Sequence, residues 1–135
     1  MAETFHLSLL TPERSVLEAP VESIIVPGED GYLGVLAHHA PLIAALAPGK
    51  LTVRRADGTT SIWALSGGFL EVSENQATVL ADALEEPSKI DVERAQRAAD
   101  RARERLRDTT GAFDIERAGL AWARALNRLK LAGPA

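Results

Sequence analysis

Cysteine is absent from the 135 residues. That excludes disulfides, thiolate metal sites and cysteine nucleophiles. Phe, Trp and Tyr together make up only 4% of the chain, and the aromatic interleaving with basic residues that RNA binding uses is missing. No apolar run approaches the roughly 20 residues that a membrane-spanning helix requires. The opening MAETFHLSLL has neither the basic flank nor the small-residue cleavage site of a secretory signal. The composition that remains, 46% hydrophobic and 25% charged, is that of an ordinary globular chain, and the simplest expectation is a cytoplasmic one.

The net charge of −4 is unevenly spread. Residues 1–84 carry four basic side chains against ten acids, a net of −6, whereas residues 85–135 carry eleven against nine, a net of +2. The shift predicts two domains, 1–84 and 85–135, with different partners. A +2 excess dispersed among acids is too weak a basic field to predict nucleic-acid binding.

The first part reads as strands. Phe5, Leu7 and Leu9 alternate with Thr4, His6 and Ser8, and Val21–Val26, Lys50–Arg55, Ser61–Ser66 and Gln76–Ala81 follow as short strand segments. Pro27-Gly28, Pro48-Gly49, Asp57-Gly58 and Gly67-Gly68 stand between them as turn signals. Asp57-Gly58 predicts the clearest hairpin, with positive backbone angles in a tight turn. Short strands about ten residues apart predict a β-sandwich or small barrel.

From Ile90 the period changes. Val92, Ala95, Ala99, Ala102 and Leu106 recur at steps of three and four, as do Ile115, Ala118, Trp122, Ala125 and Leu129 beyond a breaker at RDTTG. Two helices joined as an antiparallel hairpin are expected, with Asp114 capping the second. Their seam is mostly alanine, which buries little area at about 25 cal/mol per Å². The hairpin should therefore be weakly stable by itself and able to move.

Conventional catalytic signals are missing. Gly28, Gly31 and Gly34 do not fit the dinucleotide-binding pattern, and no Gly-Lys-Ser/Thr occurs. His38 and His39 are adjacent, so on a strand they face opposite ways and cannot chelate one ion. Ser66 in LSGGF lacks the preceding glycine of a nucleophile elbow. The reading is a chain without catalysis of its own and without a metal.

The arginines are more informative. Arg94, Arg97, Arg101 and Arg105 form one stripe on the first helix, and Arg124 and Arg128 lie one turn apart on the second. One reading is a solvated face with ion pairs such as Asp100–Arg103 and Glu104–Arg107. The other is that an antiparallel hairpin carries Arg124 and Arg128 toward the start of the first helix, joining Arg94 and Arg101 around a polyanion.

Several segments resemble the epsilon subunit of bacterial and chloroplast F-type ATP synthases. They are the Thr-Pro-Glu after the first strand, GEDGYLGVL with its following HAPL, GGFLEVSENQATVLAD and the closing RALNRLK. The likeness runs from about residue 4 to 131. One departure is LAHHAP, where many members place glycine or asparagine at the position of His38. His39 aligns with the histidine before alanine-proline, and the change is expected to affect only the turn.

The resemblance implies an α+β chain, a ten-stranded N-terminal β-sandwich followed by a C-terminal two-helix hairpin. It implies a non-catalytic rotor component of the central stalk, coupling proton flow to ATP synthesis. The sandwich would bind the gamma subunit and the c-ring. The hairpin would fold down or extend, and when extended would reach the alpha/beta head, meet an acidic stretch of beta and inhibit ATP hydrolysis. Peripheral placement on the cytoplasmic face of the cell membrane, without insertion, follows from the same likeness.

In ATP-binding members of that family the motif is isoleucine or leucine, aspartate, two variable residues, arginine and alanine. Here it reads Ile90-Asp91-Val92-Glu93-Arg94-Ala95. Glu85 stands six residues before the aspartate, Arg101 seven beyond the motif's arginine, and Arg124 and Arg128 match the second-helix pair. The resemblance thus implies a regulatory ATP site made of Glu85, Ile90, Asp91, Arg94, Ala95, Arg101, Arg124 and Arg128. The rival readings are a free-standing ATP-binding adaptor module and an enzyme using Asp91 or His39.

Overall fold

The computed structural model describes residues 3–133; the outermost two residues of each expected domain lie outside them. The chain divides after Glu85 into two compact units, one residue later than the charge shift places the boundary. Glu85 itself belongs to a short strand, where it pairs with Ala64.

The first unit is built of strands β1 (Phe5–Leu10), β2 (Ser15–Gly28), β3 (Gly31–Leu36), β4 (Leu42–Arg55), β5 (Thr60–Ser73), β6 (Gln76–Ala81) and β7 (Leu84–Glu85). Their order is β1-β6-β5-β4-β2-β3, with β7 beside β5 and a further pairing of β1 with β2. The last pairing closes a ring, β1-β6-β5-β4-β2, and leaves β3 and β7 as its outer strands. Alternation does the rest: Phe5, Leu7 and Leu9 point inward and join Val21, Ile24, Val26, Leu51, Val53, Leu65, Leu70 and Val79 in one buried cluster.

Among the described residues there are seven strands rather than ten, and the reason is physical. β2, β4 and β5 are each 14 residues long, and β2 and β5 each change neighbour along one edge, so a single long strand stands where two shorter ones are expected. β2 pairs with β1 up to Val21 and with β3 from Ser23, across a register shift in its pairing with β4. β5 pairs with β7 at Ala64 and Leu65 and with β6 from Gly68 onward. The change comes at Gly67-Gly68, which lies inside β5 and is not a turn. Gly68 has φ 146°, and a Cβ there would sit 2.0 Å from the carbonyl oxygen of Leu80, so only glycine lets β6 pass so closely. Pro48-Gly49 likewise lies inside β4.

The true reversals are elsewhere. Between β4 and β5 the Gly58 amide donates to the Arg55 carbonyl at 2.9 Å and only Gly58 takes positive φ. This is a type I turn closed by a left-handed glycine, not a pair of positive angles. Between β5 and β6, Glu74 and Asn75 both have positive φ, the two-residue turn that matches strand twist. His38 also has positive φ, and its amide donates to Asn75 Oδ1 at 2.7 Å. That backbone is easiest for glycine or asparagine, so histidine here alters a turn that still forms.

The second unit opens with a 3₁₀ turn, Pro87–Lys89, followed by helices α1 (Val92–Arg107) and α2 (Ile115–Leu131). Ala95, Ala99 and Ala102 of α1 and Ala118 and Ala125 of α2 are buried. Small side chains at the seam let two backbones approach closely. Larger members of the predicted seam sit at its margins: Val92, Ile115 and Trp122 are exposed and Leu106 and Leu129 half-buried. The antiparallel arrangement is pinned at its open end, where the Gly133 amide donates to the Pro87 carbonyl at 3.1 Å.

Candidate functional site

The start of α1 is fixed by its sequence. Asp91 is extended (φ −78°, ψ 99°) and its Oδ1 accepts from the Arg94 amide at 3.0 Å, satisfying one of the orphan donors of the first turn. Glu93 adds an acid in the favourable first turn. Ile90 and Ala95 on either side are buried. The motif residues are thus divided by role: Ile90 and Ala95 pack, Asp91 organises amides, and the exposed Arg94 guanidinium is the charge available at that end.

The second helix is started in the same way, by Asp114 accepting from the Arg117 amide at 3.1 Å. At its far end Arg128 is half-buried and its carbonyl accepts from the Ala132 amide at 2.9 Å. Because Gly133 is tied to Pro87, the Arg128 end of α2 lies at the Asp91 end of α1. Arg101 and Arg124 meet differently: both line an open cleft of about 550 Å³ between the helices. Arg94 and Arg128 do not line it. The seven hairpin positions therefore arrange along the helix pair, and Glu85 belongs to the strand unit.

The cleft also holds Arg105 and Arg117, which the motif does not name, together with Phe113. Arg105 lies over the Phe113 ring, its guanidinium carbon 5.2 Å from the centroid. The ion pairs Asp100–Arg103 and Glu104–Arg107 do not form among the described residues, and Asp100 instead accepts from Gln96 Nε2 at 3.0 Å. Among the described residues His38–Glu3, Arg54–Glu22 and Lys89–Glu86 form ion pairs, and none of these three lies on α1 or α2. The Thr110 hydroxyl, and then its amide, hold the Asp108 carboxyl below its ordinary range at the turn between the helices.

No group of three or more His, Cys, Asp or Glu that could hold a metal ion occurs among the described residues. His39 Nδ1 lies 2.7 Å from the Ala40 carbonyl oxygen in a loop. No helix among the described residues is long and apolar enough to cross a membrane.

Comparison with known proteins matches both units. The model of the ATP synthase delta/epsilon chain β-sandwich domain covers residues 4–87, and that of the long α-helix domain covers residues 88–133. The chain belongs to the ATP synthase delta/epsilon chain family. The ATP synthase epsilon chain of Moorella thermoacetica is 48% identical over 130 residues, covering 96% of this chain and 97% of that one. The epsilon chain of Bacillus pumilus is 44% identical over 131 residues, covering 97% and 98%. A chain in the cryo-EM structure of the Euglena gracilis mitochondrial ATP synthase, comprising OSCP, F1 and c-ring, superposes with a TM-score of 0.82 at 26% identity. That match covers 94% of this chain and 80% of that one. Family membership agrees with the sandwich-then-hairpin architecture.

One surface feature escaped sequence reasoning. Phe69 and Leu80 are paired across β5 and β6, Ala45 is paired with Phe69 from β4, and Ile43 stands two residues along. Ile43, Phe69 and Leu80 are 78%, 58% and 52% exposed. The signal was present: these apolar residues fall on the outward phase of strands whose inward phase is already filled by Leu46, Leu70 and Val79.

Proposed function

We propose that the chain acts as the epsilon subunit of an F-type ATP synthase: a non-catalytic rotor part of the central stalk, coupling proton flow to ATP synthesis. In this reading it sits peripherally on the cytoplasmic face of the cell membrane. The exposed Ile43, Phe69 and Leu80, with the half-buried Ala45 between them, are a natural docking face for the gamma subunit, since contiguous exposed apolar surface marks an interaction site. The c-ring is the second stalk partner. The Euglena gracilis structure that holds a similar chain also contains a c-ring.

The hairpin is the regulatory half of the proposal. ATP binds its folded form, through Asp91 and Arg94 at one end, the packing of Ile90 and Ala95, and Arg101, Arg124 and Arg128 along the helix pair. Without ATP the hairpin extends, its arginines face the acidic stretch of beta on the alpha/beta head, and hydrolysis is inhibited. Binding to one form alone stabilises it by RT ln(1 + [ATP]/Kd), about 2.7 kcal/mol at a hundredfold excess. A helix pair seamed by alanine is an element that such an amount can shift.

The observation that carries this reading is the complete Ile90–Ala95 motif, folded with Asp91 as a working cap and with the Arg128 end of α2 held alongside it. Isothermal titration of the full chain with ATP tests it. Saturable binding that Arg94→Ala weakens at least tenfold is expected; no binding by the wild type, or unchanged binding by the variant, overturns the site. Hydrolysis by the whole complex should rise when residues 86–135 are removed, and an unchanged rate would overturn the inhibitory role.

A further inference from the structure

We propose that Thr110, in the turn between the two helices, is a phosphorylation site through which an arginine-directed serine/threonine kinase opens the hairpin. Of all the serines and threonines in the chain, only Thr110 has arginine both three and five residues before it, Arg107 and Arg105. A kinase whose substrate groove is lined with carboxylates reads such a charge pattern. The hydroxyl stands where an enzyme can reach it. Asp108 ends α1 and Asp114 starts α2, and Thr109, Thr110, Gly111 and Ala112 between them are all exposed. Gly111 has φ 79°, and a Cβ there would meet nothing within 4 Å, so the chain beyond Thr110 runs through open space. The end of α1 that carries both arginines is loosely closed. The Asp108 amide reaches the Arg105 carbonyl at 3.4 Å, against 2.9 Å for the Ala132 amide that closes α2. Fraying of that last turn lets Arg105, Arg107 and Thr110 extend together into a groove.

The oxygen that would be modified is also the one that closes the turn. The Thr110 hydroxyl donates to Asp108 Oδ1, the Thr110 amide donates to the same oxygen at 2.7 Å, and Thr110 Oγ1 accepts from the Ala112 amide at 3.3 Å. Phosphoryl transfer forms a bond from Oγ1 to phosphorus and breaks the bond joining the γ-phosphate of the kinase's ATP to its β-phosphate. The hydroxyl proton passes to a kinase carboxylate and ADP leaves. Asp108 then loses its hydroxyl donor, and a group of charge about −1.5 to −2 stands against its carboxylate. That group also follows the C-terminal end of α1, where the helix dipole disfavours negative charge. Arg105 and Arg107 are exposed and offset only part of the repulsion. A seam of alanine buries little area with which to resist the opening. In the proposed function, on which this consequence rests, the extended hairpin is the inhibitory one, so phosphorylation would lower hydrolysis even where ATP is plentiful.

Tandem mass spectrometry of the complex purified from its own cells, growing and starved, decides whether the site is used. Phosphate on Thr110 is expected in one state or both; a chain with none in either, or with phosphate only on other residues, overturns the proposal. In vitro, the purified full chain should take up phosphate on Thr110 from magnesium ATP and protein kinase B. Arg105→Gln/Arg107→Gln should slow that uptake about tenfold or more, and an unchanged rate would overturn the recognition. The phosphorylated chain should lose its helical circular dichroism at a midpoint about 4 °C or more below that of Thr110→Val, which lacks the hydroxyl but adds no charge. An equal or higher midpoint would overturn the opening. In the whole complex, Thr110→Asp should hydrolyse ATP at about half the rate of Thr110→Val or less. If the two rates are equal while removal of residues 86–135 raises hydrolysis, the switch is overturned. If that removal changes nothing, the inhibitory reading falls instead, and the mass spectrum and the midpoint decide the site.

Discussion

Two aspartates, Asp91 and Asp114, start the two helices by the same contact, a carboxylate oxygen accepting the amide three residues on. Replacing either with alanine leaves a first-turn donor without its acceptor and should cost about 1 kcal/mol, read as a lower midpoint for loss of helical circular dichroism. Asp91 was legible in the sequence as a cap, and the structure retains that role. Asp57 is the strand-side counterpart. The Thr59 hydroxyl and amide hold its carboxyl below the ordinary range. A carboxylate whose folded value is depressed contributes stability above its unfolded value and loses it as pH falls through the folded one. Denaturation midpoints of wild type and Asp57→Asn should therefore differ at neutral pH and converge on acidification below about pH 4. A gap that stays constant across that window would remove Asp57 from the account.

At the scale of elements, a close backbone approach is also the limit of what the sequence disclosed. Gly67-Gly68 looks like any turn dipeptide, yet it is where β5 passes from β7 to β6 while remaining one strand. Nothing in Ser61–Ser66 or in Gln76–Ala81 says that the residues between continue the same strand, so long bent strands read as pairs of short ones. Gly68→Ala should destabilise the strand unit by roughly 3 kcal/mol or more, since the added carbon meets backbone that cannot rotate away. Urea unfolding followed by tryptophan emission would measure it, and a cost under about 1 kcal/mol would show that β6 can give way. Glu74-Asn75 escaped for the opposite reason, being a tight turn without the Asn-Gly pair that usually announces one. The helices were legible almost to the residue because alanine at steps of three and four has no competing explanation. Their ion pairs were not, because spacing along one face does not decide which of several partners an exposed side chain takes.

At the scale of the whole molecule, the division into sheet and hairpin followed from charge and periodicity, and the boundary moved only by Glu85. Among the described residues, the hydrophobic cluster of the first unit draws on positions from Phe5 to Ala81, with Leu84 packed against it. Residues 1–85 alone should accordingly fold and unfold cooperatively, with a strand-type circular dichroism spectrum. Failure to give a single transition would mean that the sheet needs the hairpin. The site was legible in part. The motif at Ile90–Ala95 was readable in one dimension, whereas the grouping of Arg101 and Arg124 with Arg105 and Arg117 depends on which turns of two helices lie abreast.

The pairing of β1 with both β6 and β2 has a consequence for the order in which the molecule can be made. His6 is matched with Gln76 and Leu10 with Leu80, so the first strand to leave the ribosome must wait for nearly the last strand of its unit before the ring can shut. Until then β1 and β6 each show a bare edge, the condition in which chains pair with the wrong neighbour. Closure over so long a separation is slow compared with the coiling of a local helix pair. The hairpin therefore acquires its shape quickly once synthesised, and the sheet, although synthesised first, completes its ring only after most of its sequence has emerged.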